Sequence, residues 1–464
     1  LRFPSIAIVA GKLCSNFIRS CGLGQGSNLP GRIARKIDSS LIRCLSKQCR
    51  YGVLAVSGTN GKSTSCGFVG SILKAANFKA IHNRQGANLV TGITASLVDA
   101  CSWSGRLNAD YCLFEVDEAS LPLVANEAII LAAVITNLFR DQLDRFGELD
   151  TSAKLIDQGI RTNSSTAILN ADDPNVAQLA RGCPRMYFGI ENIVDSAHKS
   201  AAAFAATTSS QRELAYCPNC EHEFVYSRTF FGQLGHYFCP ECSYSRPEPE
   251  VKAVNVTLSA ASSHFSLVFP SESIQVTIPL PGLYNVYNAL AAAALSHYLR
   301  LPAVIVKTGL ENYSTLFGRT ESIEINGDSV LVQLIKNPAG ASQVLESVAQ
   351  AKHGPMLIAI NDNFADGRDV SWLWDADFEQ LENWEHPIVV SGNRAPDMAV
   401  RLKYVGIPTK QIVVETRLKS ALSKALALCS NNGGQTLYVL PTYTCLLELQ
   451  KIFKRMGHVM SGTA

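Results

Sequence analysis

The run Ser57-Gly58-Thr59-Asn60-Gly61-Lys62-Ser63-Thr64 follows the apolar stretch Val53–Val56 and opens a segment with helical periodicity. Glycines let a backbone close around phosphate oxygens, a lysine supplies a mobile positive charge, and a serine hydroxyl can ligate Mg²⁺. A helix starting at this point adds its N–H groups and the positive end of its dipole. Position 56 is Val, so the run departs from the general G-x-x-x-x-G-K-[ST] spacing. An ordinary glycine-containing turn between strand and helix has no need of a Gly-Lys-Ser-Thr run. Gly58, Thr59, Asn60, Gly61, Lys62, Ser63 and Thr64 are therefore candidate phosphate contacts, with Ser63 also a candidate for Mg²⁺.

A second constellation is Cys217-Pro218-Asn219-Cys220 and Cys239-Pro240-Glu241-Cys242, two Cys-x-x-Cys knuckles separated by 18 residues. Each knuckle can bring two sulfurs to one ion, and the intervening Phe224–Phe238 can form a hairpin, so the spacing predicts a tetrahedral Zn²⁺ ribbon. With four thiolates there is no open coordination position, and the zinc is expected to be structural. A redox pair or two disulfides are the competing readings. The other ten cysteines are scattered singly, several in apolar stretches such as Tyr111-Cys112-Leu113. That pattern suits a reducing, cytoplasmic setting in which Cys behaves as a small hydrophobe.

Strand and helix alternation must position these groups. Short apolar runs at Val53–Val56, Tyr111–Val116, Ala132–Thr136 and Ala167–Leu169 predict buried parallel strands, with helices such as Ser63–Ala76 and Thr151–Arg161 between them. The Ala/Ser/Thr-rich stretch 196–210 leads into the cysteine-bearing insert, taken as 212–247. Strands are expected over Val251–Ile278 and a helix over Asn285–Leu299. A second alternation then carries strands at Val330–Leu334, Met356–Ile360, Pro387–Val390 and Thr436–Leu440. The fold class is α/β. Three parts are expected: a basic, helical 1–50, an ATPase-type domain 51–317 holding the zinc insert, and a second, Rossmann-like α/β domain 318–464. The composition is 47% hydrophobic and 17% charged, with a formal charge of +2, which offers no electrostatic case for a nucleic-acid partner. No apolar run reaches the ~18 residues of a membrane span. Ile6–Ala10 is apolar but lacks a following cleavage site, so no secretory signal is read there.

Gly58-Thr59-Asn60-Gly61-Lys62-Ser63 resembles the shortened phosphate loop of the Mur ligase and folylpolyglutamate synthase superfamily. Other motifs follow in that superfamily's order. Glu115-Val116-Asp117-Glu118 ends a strand, where Glu118 can hold Mg²⁺. Thr136-Asn137-Leu138-Phe139-Arg140-Asp141-Gln142-Leu143-Asp144 resembles its Thr-Asn…Asp-His-Leu-Asp segment, with Gln142 in place of His. Asn170-Ala171-Asp172-Asp173-Pro174 matches a further loop, Asn285 and Asn288 an Asn-x-x-Asn helix near the nucleotide, and Gly318-Arg319 a hinge arginine. The resemblance implies ATP and Mg²⁺ as cofactors, with Asn288 and Arg319 joining the nucleotide contacts.

The zinc insert is similar to that of one branch, the MurT-type subunits of bacterial lipid II isoglutaminyl synthases. Gly26-Ser27-Asn28-Leu29-Pro30-Gly31, Asn83–Asn88, Lys336-Asn337-Pro338-Ala339-Gly340 and above all Asn361-Asp362-Asn363-Phe364-Ala365-Asp366-Gly367-Arg368-Asp369-Val370-Ser371-Trp372 point the same way. This implies ATP-dependent amidation of the D-glutamate α-carboxylate in the stem peptide of lipid II. It also implies a heterodimer with a GatD-type glutaminase that delivers ammonia. No single cysteine lies in a recognisable nucleophile turn, and Cys445 opens an apolar helix. The branch further implies that Asp369 orients the partner's catalytic histidine, with Asp366 as competitor and a helix cap near Ser371 as the plain alternative. Two other readings stay open: an amino-acid-adding or folylpolyglutamate-type ligase, and a nucleotide-dependent zinc-ribbon binding protein without ligase activity.

Overall fold

A computed structural model describes residues 4–20, 28–83, 87–139, 149–194, 216–259, 262–313, 321–325, 327–351, 354–430 and 436–458. The described chain forms two compact units, one within 1–139 and 148–313, the other within 314–464.

The first unit is built on nine strands: β1 (Gly52–Ser57), β2 (Ala80–His82), β3 (Tyr111–Glu115), β4 (Ile130–Ile135), β5 (Thr166–Asn170) and β6 (Arg185–Ile190), then, past a two-stranded hairpin of β7 (Val225–Phe231) and β8 (Leu234–Phe238), β9 (Val251–Leu258), β10 (Ser263–Val268) and β11 (Ser273–Ile278). The sheet order is β11-β10-β9-β6-β5-β4-β1-β3-β2. All pairs from β2 to β9 are parallel, and β10 and β11 extend the sheet antiparallel. The apolar runs behave as expected: β3 is buried at every position, and β1 at all but Gly52. Such strands must be covered on both faces. One face is covered by the helix Leu283–Tyr298, whose alanines allow close approach to the sheet and to the helix Lys62–Ala75. On the other face the N-terminal helices Pro4–Ser20, Leu29–Ile37 and Leu41–Ser46 share a core with Val90–Ala100 and β3.

The second unit is a six-stranded sheet of β12 (Glu321–Ile325), β13 (Asp328–Val332), β14 (Met356–Ala359), β15 (Ile388–Ser391), β16 (Ile412–Val414) and β17 (Thr436–Pro441), in the order β12-β13-β17-β14-β15-β16. Only the β12/β13 pair is antiparallel. Along β14, Met356 and Ile358 enter one apolar core while Leu357 and Ala359 enter the other, as expected of a strand buried on both sides. Both units are α/β, as the alternation of apolar runs and helical stretches implies. Four strands go beyond that expectation: β2, β6, β12 and β16. β12 carries two glutamates that break an apolar run, and the three-residue β2 and β16 are too short to form one.

Candidate functional site: a glycine-shaped loop and a four-cysteine ribbon

The Ser57–Thr64 run leaves the carboxyl end of β1, between the ends of β3 and β4, where ligands bind on parallel sheets. Its conformation needs glycine at two places. Gly58 has φ +119°, and a Cβ there would stand 2.5 Å from Thr136 Oγ1. Gly61 has φ +84°, and a Cβ there would stand 2.0 Å from Asn288 Oδ1. The next residue, Lys62, begins a 14-residue helix, so the loop delivers its backbone to a helix N-terminus.

The segment after β4 holds the loop. Thr59 N–H donates to Asn137 O (2.9 Å), and Asn60 N–H donates to Asn137 Oδ1 (2.8 Å). Thr136 Oγ1 and Asn137 Nδ2 both donate to Asn60 O, at 2.7 and 3.1 Å. Thr59 Oγ1 donates to Phe139 O and accepts from Phe139 N–H, each at 3.1 Å. Thr136 and Asn137 thus act on the loop directly, a role their types alone do not announce.

Lys62 is 7% exposed and its ammonium donates to Gly58 O, Thr59 O (3.2 Å) and Glu118 Oε1 (3.1 Å). Glu118 stands just past β3 beside Asp117, both buried. Burial pushes the Glu118 carboxyl above its ordinary range, Lys62 pulls it back, and Asp117 pushes the same way as burial. Asn288 approaches from the helix Leu283–Tyr298, with its Oδ1 3.3 Å from Ser65 Oγ. Gly58–Thr64, Glu118 and Asn288 are therefore brought together; Ser63 lies half-buried in the helix's first turn. Arg319, Arg140–Asp144 and Arg84–Gly86 lie outside the described residues. Asn83 is buried and works inward: it donates to Glu115 O (2.7 Å) and accepts from Glu115 N–H (2.8 Å) at the end of β3.

Cys217, Cys220, Cys239 and Cys242 place their Sγ atoms within 4.8 Å of one another, a group that could hold a metal ion. The Cys217–Cys242 and Cys220–Cys239 separations are 3.5 and 3.4 Å. Four bonds of ~2.3 Å in a tetrahedron need sulfurs roughly 3.8 Å apart, a separation within the 3.4–4.8 Å that spans these thiols, so the donor set fits Zn²⁺. Phe224, Tyr237 and Ala177 pack around the thiols.

The ribbon is built into the first unit. Asp172, fully buried, accepts from Arg246 Nε (2.6 Å), Ile190 N–H (2.8 Å) and Tyr287 Oη (2.8 Å). Burial raises its carboxyl, and Arg246 opposes that. Asp173 accepts from Leu138 N–H (2.8 Å) and Asn175 N–H (3.0 Å), and burial pushes it up to about 7. Asp172 and Asp173 thus serve as buried anchors; the sequence marks them only as a loop.

In the second unit the loop after β14 carries Asp366 and Asp369. Asp366 is 5% exposed and accepts from Thr444 N–H (2.8 Å) and Thr444 Oγ1, capping the helix Tyr443–Arg455. Asp369 is half-buried, and its Oδ1 accepts from Ser371 N–H (2.8 Å), just before the short helix Trp372–Asp375. Asn337 Oδ1 likewise accepts from Gly340 N–H (2.9 Å) at the start of Pro338–Ala351.

Comparison with known proteins agrees with this architecture. The Mur ligase middle domain model matches residues 56–225 and 220–296, and the MurT ligase C-terminal model matches 334–446. The chain is 34% identical over 97% of its length, and 96% of the relative's, to the lipid II isoglutaminyl synthase (glutamine-hydrolyzing) subunit MurT of Streptococcus pneumoniae. It is 34% identical over 97% of both chains to the subunit of that name from Staphylococcus aureus. Among solved structures, a pseudomurein peptide ligase type C from Methanothermus fervidus aligns with a TM-score of 0.68 at 22% identity, covering 88% of this chain and 79% of that one. A glycine-shaped loop at the carboxyl end of a parallel α/β sheet, a four-cysteine ribbon within that sheet's unit and full-length similarity converge: the chain belongs to the MurT family of Mur-type ligases.

Proposed function

We propose that the chain is the ATP-dependent synthetase subunit of a lipid II isoglutaminyl synthase. It would amidate the α-carboxylate of D-glutamate in the stem peptide to D-isoglutamine. The observation that carries the reading is the Lys62–Glu118 pair at a glycine-shaped loop, in a chain 34% identical over 97% of its length to subunits of that name.

A carboxylate is a poor electrophile, and ATP supplies the phosphoryl group that corrects this. A carboxylate oxygen of the substrate attacks the γ-phosphorus and ADP leaves, giving an acyl phosphate. Ammonia then attacks the acyl carbon, phosphate leaves, and the amide remains after loss of a proton. The Gly58–Thr64 backbone and Lys62 would hold the phosphates, Ser63 and Glu118 would hold Mg²⁺, and Asn288 and Arg319 would complete the nucleotide contacts. Lys62 would neutralise charge that builds on the transferring group, and Mg²⁺, held by Ser63 and Glu118, would add to that neutralisation. The four cysteines would carry a structural Zn²⁺.

Ammonia would come from a separate GatD-type glutaminase in a heterodimer. Cys445 fits no nucleophile role: it is fully buried, and burial pushes its thiol up to about 12. Asp369 would orient the partner's catalytic histidine, and Asp366, both of whose oxygens accept from Thr444, would cap a helix. No helix of the described residues is long and apolar enough to cross a membrane; the chain would act in the cytoplasm, at the inner membrane face where lipid II is presented.

The test is amidated lipid II formed by Asp369→Ala assembled with the glutaminase. Glutamine-dependent amidation should fall by up to about 10⁴-fold, as when a triad carboxylate is lost. Concentrated ammonium at alkaline pH should restore much of it. Normal use of glutamine by the variant assigns the orienting role elsewhere, and failure of ammonium places Asp369 in the synthetase site. Addition of an amino acid in place of an amide would overturn the reading as a whole.

A further inference from the structure

We propose that Gln233, at the tip of the ribbon hairpin, is a positioning residue for the nucleotide loop, so that the ribbon acts on ATP binding as well as on stability. The inference rests on reading Gly58–Thr64 as that loop.

The hairpin β7–β8 turns at Gly232-Gln233, and its tip points away from the knuckles into the sheet's carboxyl edge. Gln233 is fully buried there and its Nε2 donates to Leu138 O at 2.8 Å. Next to it the Phe231 and Phe139 rings lie 5.2 Å apart. Asp173 holds the other side of this segment by accepting Leu138 N–H, and Asp172 O accepts Gly235 N–H at 2.9 Å. Leu138 and Phe139 are thus held between the ribbon tip and the β5 loop. Phe139 in turn makes both hydrogen bonds to Thr59 Oγ1, and Asn137 O receives Thr59 N–H. The carbonyl that Gln233 holds and the Phe139 N–H that donates to Thr59 Oγ1 belong to one peptide group.

A ribbon that only stabilised its own knuckles would have no need to bury an amide against this carbonyl. Burying a polar side chain is unfavourable unless it is hydrogen-bonded, and here the bond secures the strand end that sets Thr59. Without the donor, Leu138 O is left buried and unsatisfied, and the segment relaxes toward any alternative donor. That motion would displace Thr59 and the loop N–H groups next to it. The chemistry that follows nucleotide binding makes no contact with Gln233, so the effect should fall on binding.

The test uses Gln233→Met, which fills similar volume and removes the donor. The measurements on the full chain are zinc content, affinity for MgADP by calorimetry, and KM for ATP and kcat with ammonium as nitrogen source. Zinc should remain at wild-type stoichiometry. Kd for MgADP and KM for ATP should both rise about five- to tenfold, while kcat stays within about twofold. Phe231→Leu, which trims the Phe139 contact without stranding a polar group, should raise KM in the same direction by a smaller factor. It also carries the test if Gln233→Met does not fold. Unchanged MgADP affinity in a folded, zinc-replete variant overturns the proposal even if its melting temperature falls, because that outcome is a stability role alone. A wild-type chain that binds no Mg-nucleotide would defeat the loop assignment itself, and this proposal with it.

Discussion

Lys62→Met removes a charge from the middle of the site while nearly preserving its shape, and the structure says what should follow. The ammonium lies 3.1 Å from Glu118 Oε1, with both side chains 9% exposed. At an effective dielectric of about 20, that separation corresponds to about 5 kcal/mol of attraction. Breaking a buried pair by deleting one partner costs about 3–5 kcal/mol, because the remaining charge stays buried. Glu118 can escape part of that cost by taking up a proton. Burial and Asp117 already raise its carboxyl, and Lys62 is the largest influence in the other direction; in the variant the carboxyl rises further. A carboxyl raised in the folded state carries no ionisation penalty below its unfolded pKa of about 4.3. Above that, the penalty grows by about 1.4 kcal/mol per pH unit until the folded-state pKa is reached, then levels off. Wild type levels off first, so the stability gap to the variant should open as pH rises between the two folded-state values. Thermal unfolding from pH 5 to 8 reads the gap, at about 2–4 °C per kcal/mol. MgADP binding on the same samples should weaken by at least about thirtyfold, the low end of losing a buried charge contact. A gap that narrows as pH rises would refute the electrostatic account, and wild-type affinity for MgADP would refute the role of Lys62.

Gly61→Ala should abolish nucleotide binding by calorimetry and lower stability by about 1–3 kcal/mol, because its Cβ would stand 2.0 Å from Asn288 Oδ1 at φ +84°. Metal analysis of reduced protein should find one zinc per chain. Cys239→Ser should lose it and melt several degrees lower, since metal binding contributes folding free energy in such sites. Asp366→Ala should cost about 0.5–2 kcal/mol in denaturation, the loss of a helix cap, because its carboxylate holds Thr444 N–H. In the assembled complex it should leave the ratio of glutamine- to ammonium-dependent amidation unchanged, whereas Asp369→Ala shifts that ratio.

What was legible in the sequence is what local conformation decides. β1, β3, β4 and β5 are continuous apolar runs because parallel strands at the centre of a sheet are buried on both faces, and a run needs no partner to be seen. The shape of the Gly58–Thr64 loop was legible for the same reason: two positive-φ glycines and a lysine opening a helix state their geometry within seven residues. The knuckles were legible because two thiols three apart can reach one ion wherever the chain goes next. Roles set by distant contacts were not. Asp366 and Asp369 are the same residue type in one loop, and what separates them is Thr444, 78 positions from Asp366. Gln233 is an unremarkable polar residue in a turn until Leu138, 95 positions earlier, is seen beside it.

The insert illustrates how these two kinds of information combine. Read along the chain, it interrupts a sheet, with its cysteines as a self-contained metal module. Read in space, its exit residue Arg246 forms an ion pair with the buried Asp172, whose other oxygen takes the Tyr287 hydroxyl from the helix that also presents Asn288. Its hairpin tip meets the segment that grips Thr59. A module free to vary independently would keep polar contacts to its host at the rim, where water can replace them. Here they are a fully buried carboxylate and a fully buried amide, each costly to leave without its partner. The ribbon and the phosphate loop therefore constrain each other, and substitutions at Arg246 or Gln233 should couple to those at Thr59 more strongly than their separation in sequence suggests.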